Sequence, residues 1–281
     1  MTARTSRPAD SDVLPPAVVA FDAVAPQFDQ RYGQWASVRA QRRAVQKELL
    51  RAFPPDAALL ELGGGTGDDA IHLASRGRRV LLTDGSRSML ACAQAKIRDA
   101  RLEHRITTHA ITLERLRDLP RTMIPSMPVR FDGAYSNFAA FNCITDLAGV
   151  ASDLADLLRP GAPVLLVIFG PVSVGEVLVQ LWKGDARAAF RRLSSGDIPA
   201  RVAGREFTVR YPSPRQVADR FAPWFRLVRT RGVGIFVPPS AAEPSISRFP
   251  RLLAILEALD RGASAPLALL ADHVLLQFER V

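Results

Sequence analysis

The chain has 281 residues, 48% hydrophobic and 23% charged, which is ample material for a buried core and unlike a disordered or collagenous chain. Its 37 Lys+Arg against 28 Asp+Glu leave a formal charge of +9, which raises nucleic acid, anionic membrane and acidic small molecules as partners. The charge is local: residues 181–231 hold Lys183 and eleven arginines against Asp185, Asp197, Glu206 and Asp219, a net +8, and the rest of the chain carries +1. Residues 1–15 are polar and broken by proline, with no apolar stretch of the signal-peptide kind, and are expected to form a disordered tail. The longest uncharged run, 160–175, is too short for a bilayer span. Cys92 and Cys143 are isolated, and His72, His104, His109 and His273 show no metal-ligand spacing, so neither a disulfide framework nor a metal is expected and a cytoplasmic protein is.

From residue 16 onward the periodicity predicts two helices, over about 16–32 and 36–53, the first interrupted by Pro26 and the second ended by Pro54-Pro55. The pattern then changes to short apolar runs alternating with helices. Strands are expected at 57–62, 79–83, 104–109, 129–136 and 163–169, with helices opening at Asp68, after Ser86 and near Asp146. A helix at 214–221 and strands at 225–232 and 273–278 complete the reading. Seven strands with helical crossovers predict an α/β fold, a mostly parallel sheet covered on both faces. Two long segments, 170–212 and 233–271, leave from strand C-terminal ends, where ligands of such sheets bind, and are expected to overhang the site as lids.

The strongest chemical signal is strand, glycine loop, helix, strand, acid. In Gly63-Gly64-Gly65-Thr66-Gly67 the glycines let backbone approach a ligand, and the helix that follows offers free N–H groups. Asp84, ending the second strand, is placed to accept hydrogen bonds from the two hydroxyls of a ribose, so an adenosine cofactor is expected. Residues 65–70 formally satisfy the dinucleotide pattern GxGxxA. Asp68 and Asp69, however, would repel a pyrophosphate and suit a zwitterion bearing a sulfonium and an ammonium.

These stretches resemble the class I S-adenosylmethionine-dependent methyltransferases of the small-molecule type. LLELGGGTGDDAIHLA (59–74) is similar to their first motif, and RVLLTDGSRSMLACAQAK (79–96) to their second. FDGAYSNFAAFN (131–142) stands at the motif after the fourth strand, LLRPGAPVLLVIF (157–169) at the fifth-strand hairpin, and FDAVAPQFDQRYG (21–33) is similar to helices that close over the cofactor. The resemblance implies a three-layer αβα, Rossmann-like fold with seven strands, the last one antiparallel. It implies one methyltransferase domain over 16–281, with capping helices at 16–53 and a cofactor-binding half at 54–169.

Carried over, it implies S-adenosyl-L-methionine as cofactor. Glu61, Gly63, Gly65 and Gly67 would lie beneath its methionine part, and Asp84 at the ribose. Gly85 and Met89 would lie against adenine, Asn137 and Phe138 near the sulfonium methyl, and Tyr32 at the carboxylate. Relatives often carry an acid at the end of the third strand; here the chain reads Thr108-His109-Ala110, so His109 or a backbone group there is the adenine contact.

Methyl transfer is an in-line displacement that needs alignment and exclusion of water, and a base only for acceptors such as alcohols or carbon acids. Tyr135, Asn137, Asn142 and Tyr211 are the polar candidates near the expected mouth, and none stands out as a base. Residues 201–211 alternate as a half-buried hairpin would, offering Arg201, Arg205 and Arg210 as mouth charges, while Phe21, Phe28, Phe141, Trp182 and Phe207 could form an apolar pocket. The expected acceptor is therefore a small, anionic, amphipathic molecule, methylated on O, N or C. The competing reading is an RNA or ribonucleoprotein methyltransferase using the basic 181–231 segment. Against it stand 7% aromatic content and SNFA where a nucleic-acid enzyme would carry an NPPY-like tetrad. A non-catalytic partner protein and an NAD-dependent enzyme are the remaining alternatives.

Overall fold

The computed structural model describes residues 13–119, 128–138, 140–194 and 196–281; residues 1–12 of the expected N-terminal tail lie outside it. Two helices open the chain, α1 (Pro16–Phe28) and α2 (Ala36–Ala52), joined by a π-helical turn at Asp29–Gly33. Pro26 sits inside α1 without ending it, because the chain leaves α-geometry only three residues later. The alternating core follows: β1 (Ala58–Leu62), α3 (Asp68–Ala74), β2 (Arg79–Asp84), α4 (Arg87–Asp99), β3 (Ile106–Ala110), β4 (Gly133–Ser136), α5 (Leu147–Leu157) and β5 (Pro163–Phe169). Next come α6 (Val174–Trp182), α7 (Ala186–Ala189), the hairpin β6 (Ile198–Val202) and β7 (Arg205–Val209), α8 (Pro214–Phe221), β8 (Phe225–Val233), α9 (Pro250–Ala263) and β9 (His273–Arg280).

Seven strands form one sheet in the order β3-β2-β1-β4-β5-β9-β8. β1 to β5 are mutually parallel, and β9 runs antiparallel to both β5 and β8, as expected for the last strand. Side chains alternate across the sheet, so each strand feeds two cores. Ala58, Leu60 and Leu62 of β1 and Ala134 of β4 pack with α5 and α8; Leu59 and Tyr135 pack with α2, α3 and α4. The result is three layers. Ser86 caps α4 through the Met89 N–H at 3.0 Å, and Asp146 caps α5 through Gly149 N–H at 2.8 Å.

Some boundaries move. β4 has four residues, with Phe131 forming only an isolated bridge to Leu158, and β3 begins at Ile106. The hairpin begins at Ile198 and turns at Ala203-Gly204, both with positive φ (49° and 76°), the geometry of a two-residue hairpin loop. That hairpin packs Phe207 and Val209 against Ala20 of α1, and the second long segment packs Val237 and Leu253 against Ala40 of α2. Among the described residues, no helix is long and apolar enough to cross a membrane.

Candidate functional site

The C-terminal ends of β1, β2 and β4 meet at the glycine loop. Gly63, Gly65 and Gly67 take left-handed backbone (φ 66°, 56°, 81°), which strains any other residue. A Cβ on Gly67 would stand 3.0 Å from Leu82 and 3.1 Å from Ala93, so this glycine also permits close helix–sheet packing. A Cβ at Gly65 would meet nothing, which leaves the crest of the loop open to a ligand. Asp84, at the end of β2, accepts Gly65 N–H at 2.9 Å and Ser86 N–H at 2.8 Å; burial raises its pKa against those hydrogen bonds.

Glu61 lies on β1 directly under this loop, 1% exposed, and a Cβ at Gly64 would be 2.6 Å from its carboxyl carbon. Burial first, then the charge of Asp69, pushes its pKa well above the ordinary value, although Arg42 pulls the other way. Its register partner is Tyr135 of β4. Each group influences the other's ionisation, yet the pair falls short of a proper hydrogen bond: Glu61 Oε2 and the Tyr135 hydroxyl are both buried and unpaired. A buried carboxylate without a partner is costly, and a cationic ligand group above the loop would relieve it.

Asp69, second residue of α3, is the hub of the neighbouring network. Its carboxylate accepts Arg42 Nη1 at 2.7 Å, Asn137 Nδ2 at 2.8 Å and Gln46 Nε2 at 2.9 Å. Asn137 in turn accepts Phe138 N–H at 2.9 Å, and Phe138 is held at φ 53° with Arg42 stacked 4.7 Å from its ring centroid. Strained backbone at a strand end signals a position over-determined by its surroundings.

Above the loop, α1 and the π-helical turn form a cover. Asp22 accepts Ser86 Oγ (2.7 Å), Ser88 N–H (3.0 Å) and Ser88 Oγ (3.0 Å), and these bonds hold its pKa down. Asp29 accepts Thr66 Oγ1 at 2.6 Å and Lys96 Nζ at 2.8 Å, and Lys96 also pairs with Asp68. Tyr32 packs between Phe28, tilted at 5.0 Å, and Trp35, edge-on at 5.2 Å. Met89 packs under Val24 and Ala25, and Gly85 faces Val18 closely enough that a Cβ would sit 2.8 Å from it. His109 and Ala110 stand beside Thr83 and Asp84 in register, His109 half-buried and Ala110 exposed.

The remaining expected residues divide. Phe21 lies between Phe28 (6.3 Å) and Phe207 (5.7 Å) beneath the cover. Phe141 packs into the core against Phe221, Tyr135 packs against Phe53, and Trp182 is 86% exposed at the end of α6. The Asn142 side chain donates to Arg210 O (2.5 Å) and accepts Phe169 N–H (2.9 Å), so it ties the hairpin to β5. Arg201 pairs with Glu206 on the exposed hairpin, Arg205 is exposed, and Arg210 pairs with Asp197.

Sequence reasoning passed over a second cluster, at the ends of β5 and β9. His273 stacks on Phe169 (5.1 Å) and meets Phe138 edge-on (5.4 Å). Its Nδ1 lies 3.1 Å from Gln41 Oε1 and 3.4 Å from Asp272 Oδ2. Asp272 accepts Arg192 Nη2 at 2.6 Å, and Arg192 also donates to Glu176 at 2.5 Å. Arg192 lies over the Phe169 ring and Tyr211 packs tilted against it, and both line a cavity of about 480 Å³ with Leu193, Arg210, Gln216 and Arg220. No local signal marks this cluster; Gln41 and His273 are 232 residues apart.

Residues 59–161 match a family model described as a methyltransferase domain. No curated protein matches the chain. Among solved structures, the chain is similar to the [4+2]-cyclase SpnF (TM-score 0.60, 15% identity, covering 95% of this chain and 97% of that one). It is also similar to DhpI in its SAH complex (0.55, 16%, 94% and 95%) and to an S-adenosylmethionine-dependent methyltransferase from Mesorhizobium loti (0.53, 19%, 85% and 98%). At these identities the likeness speaks for the fold.

Proposed function

We propose that this chain, whose residues 59–161 match a methyltransferase domain, is a class I S-adenosylmethionine-dependent enzyme that methylates a small molecule with an apolar body and an anionic group. The observation that carries the cofactor side is the buried, unpaired Glu61 carboxyl beneath an open glycine loop. The residues fit S-adenosylmethionine: Glu61 would meet its ammonium, Asp84 its ribose hydroxyls, and Gly85 with Met89 its adenine. Bound there, the cofactor supplies an electrophilic methyl on a positively charged sulfur. The chain's own part is alignment and dryness. Asp69 fixes Asn137 and Phe138 at the strand end, and Asp22 and Asp29 hold the cover down through Ser86, Ser88, Thr66 and Lys96.

Titration tests this reading directly. In the free chain a Glu61 pKa raised by burial makes its contribution to stability full below the usual carboxylate range, and that contribution is lost as pH rises through the raised value. A ligand ammonium favours the ionised form, so binding of S-adenosylhomocysteine at a pH between the usual carboxylate range and the raised value releases a proton. Calorimetry in two buffers of different ionisation enthalpy measures that release. Glu61→Gln should abolish it and weaken binding by roughly 10–100-fold, the value of a hydrogen bond to a charged group. Binding with no proton release, or equal affinity in the variant, rules the assignment out.

The anionic group is supported by Arg210 and Arg220, which line the cavity beside Tyr211. Arg201 serves as the control, since it sits on the exposed hairpin and does not line that cavity. For an acidic acceptor identified by a one-methyl mass gain, Arg210→Ala and Arg220→Ala are expected to raise KM about tenfold each. Arg201→Ala should leave KM unchanged. Equal effects at all three positions would argue for general surface charge instead.

The RNA reading has less support than the local +8 gives it. Among the described residues, seven of the twelve basic residues in 181–231 have an acidic partner: Arg191, Arg192, Arg201, Arg210, Arg226, Arg229 and Arg231. Most of these partners lie outside the segment, at Glu48, Glu176, Asp272 and Glu279, and neutralise the phosphate-binding potential that the sequence count suggests.

A further inference from the structure

The cluster at the β5–β9 end has the build of a general base. His273 is the first residue of β9 and stands opposite Phe169, the last residue of β5. Its ring is held between Phe169 and Phe138, and Phe138 directly follows Asn137 at the β4 end. Asn137 and Phe138 are the residues that the resemblance sets near the cofactor methyl, and the inference rests on the proposed methyltransferase reading.

The hydrogen bonds around the ring fix its tautomer. Gln41 Nε2 donates to Asp272 Oδ2 at 3.2 Å and lies 3.5 Å from Pro238 O, so both neighbours of that nitrogen are acceptors and the amide orientation is set. Gln41 Oε1 therefore faces His273 Nδ1 as an acceptor at 3.1 Å, and Asp272 Oδ2 faces the same nitrogen at 3.4 Å. Two acceptors on Nδ1 place the hydrogen there. Nε2 is left with its lone pair; it has no hydrogen-bond partner among the described residues, and the side chain keeps 8% of its exposure.

The charged groups nearby are Asp272, which pairs with Arg192, and Glu176, which pairs with both Arg192 and Arg191; Arg42 lies over the far ring, Phe138, and burial raises the Tyr211 pKa. Asp272 and Gln41 are positioning residues for His273, in the way that an acid orients a histidine base elsewhere.

We infer that His273 is the general base of this site and that the acceptor is a hydroxyl on an aromatic ring. An amine presented in its neutral form, or a carboxylate, attacks a methyl without losing a proton to the protein, whereas a hydroxyl needs one removed. Phe138 and Phe169 contact the His273 ring and Tyr211 contacts Phe169, so a group beside Nε2 would meet aromatic carbon, and the cavity that Tyr211 lines carries Arg192, Arg210 and Arg220 for a carboxylate on it. In the step, His273 takes the hydroxyl proton at Nε2 while an oxygen lone pair forms the O–CH3 bond. The C–S bond pair returns to sulfur, which becomes a neutral thioether, and the imidazolium then gives its proton to water.

Two measurements on the full chain decide this. With histidine labelled in ¹⁵N, long-range proton–nitrogen spectra at about pH 8 resolve four rings, and the His273→Gln spectrum assigns the one that vanishes. The expected result is hydrogen on Nδ1 and a bare Nε2; a ring carrying its hydrogen on Nε2 overturns the proposal without reference to any acceptor. The second is a mass-shift screen with S-adenosylmethionine over matched sets of phenols (catechol, 4-hydroxybenzoate, 4-hydroxycinnamate), aliphatic alcohols, amines and carboxylates. A phenol that gains one methyl, at a rate falling roughly 10²–10⁴-fold in His273→Gln while S-adenosylhomocysteine affinity stays within about twofold, supports it. Methylation of amines or carboxylates at a rate unchanged in the variant overturns it, as does a chain that binds S-adenosylhomocysteine and methylates none of the phenols. Failure to bind S-adenosylhomocysteine is a different outcome: it removes the methyltransferase reading and leaves His273 to be judged by its tautomer.

Discussion

Asp69→Ala is expected to destabilise the protein by about 3 kcal/mol and to disorganise the site in the same stroke. The carboxylate is 2% exposed and receives three side-chain donors, from Arg42, Gln46 and Asn137. Burial opposes the charge on Arg42, yet Asp69 and Asp68, joined by Glu61 and Asp29, outweigh it and hold the Arg42 pKa above its ordinary value. Removing Asp69 leaves that guanidinium with Asp68 at 3.8 Å as its partner, and leaves two amides without acceptors. Because the Arg42 side chain keeps 22% of its exposure, water meets part of the deficit, which holds the loss below that of a fully buried pair. Urea unfolding measures it. Asp69→Asn keeps one acceptor for Arg42 but turns an NH2 toward other donors, so its loss should be intermediate. The double variant Arg42→Met with Asp69→Ala should lose less than the sum of the single variants. A loss under about 0.5 kcal/mol for Asp69→Ala, the scale of an ordinary surface change, would mean that the network is ornamental.

The contrast between Asp69 and Asp84 shows what the sequence makes legible. Asp84 ends an apolar strand shortly after a glycine loop, so its place follows from local pattern, and the same holds for β5 and for the Asp146 cap of α5. Asp69 reads from sequence as one of two acids opening a helix. Its meaning comes from Gln46, Arg42 and Asn137, which are 23, 27 and 68 residues away and converge only when the sheet forms. Tyr135 is hard to read for another reason: the sheet is buried on both faces, so alternation along β4 cannot tell a site-facing side chain from one facing a core, and Phe141, in the turn beyond β4, carries no strand alternation at all. The arginine-rich segment reads as free charge because its acidic partners lie elsewhere in the chain; Glu48, which meets Arg229 and Arg231, belongs to α2.

Arg192→Met should cost about 4 kcal/mol near neutral pH, and the cost should shrink in acid. Arg192 bridges Glu176 and Asp272, with all three side chains no more than 6% exposed, and it also donates to the backbone oxygens of Asp272 (2.6 Å) and Gly170 (3.2 Å). Without it, two carboxylates remain buried with too little positive charge. Burial by itself raises the Asp272 pKa; His273 and then Arg192 reverse this and carry it far below the usual range. The stability that Asp272 contributes in the native protein is therefore present above its unfolded pKa and is lost as pH falls through the depressed folded value. In the variant Asp272 loses the Arg192 share of that depression and keeps the larger His273 share, so it protonates at a higher pH than in the native protein and relieves part of the buried charge. The gap between the two proteins should be widest near about pH 7 and narrow toward about pH 4. Arg192→Lys keeps the charge but cannot span both carboxylates with a planar fork, and should fall between them. Urea midpoints for the three proteins at the two pH values separate the causes: a gap that narrows in acid assigns the loss to charge, and a constant gap assigns it to the stacking of Arg192 on Phe169 and Tyr211.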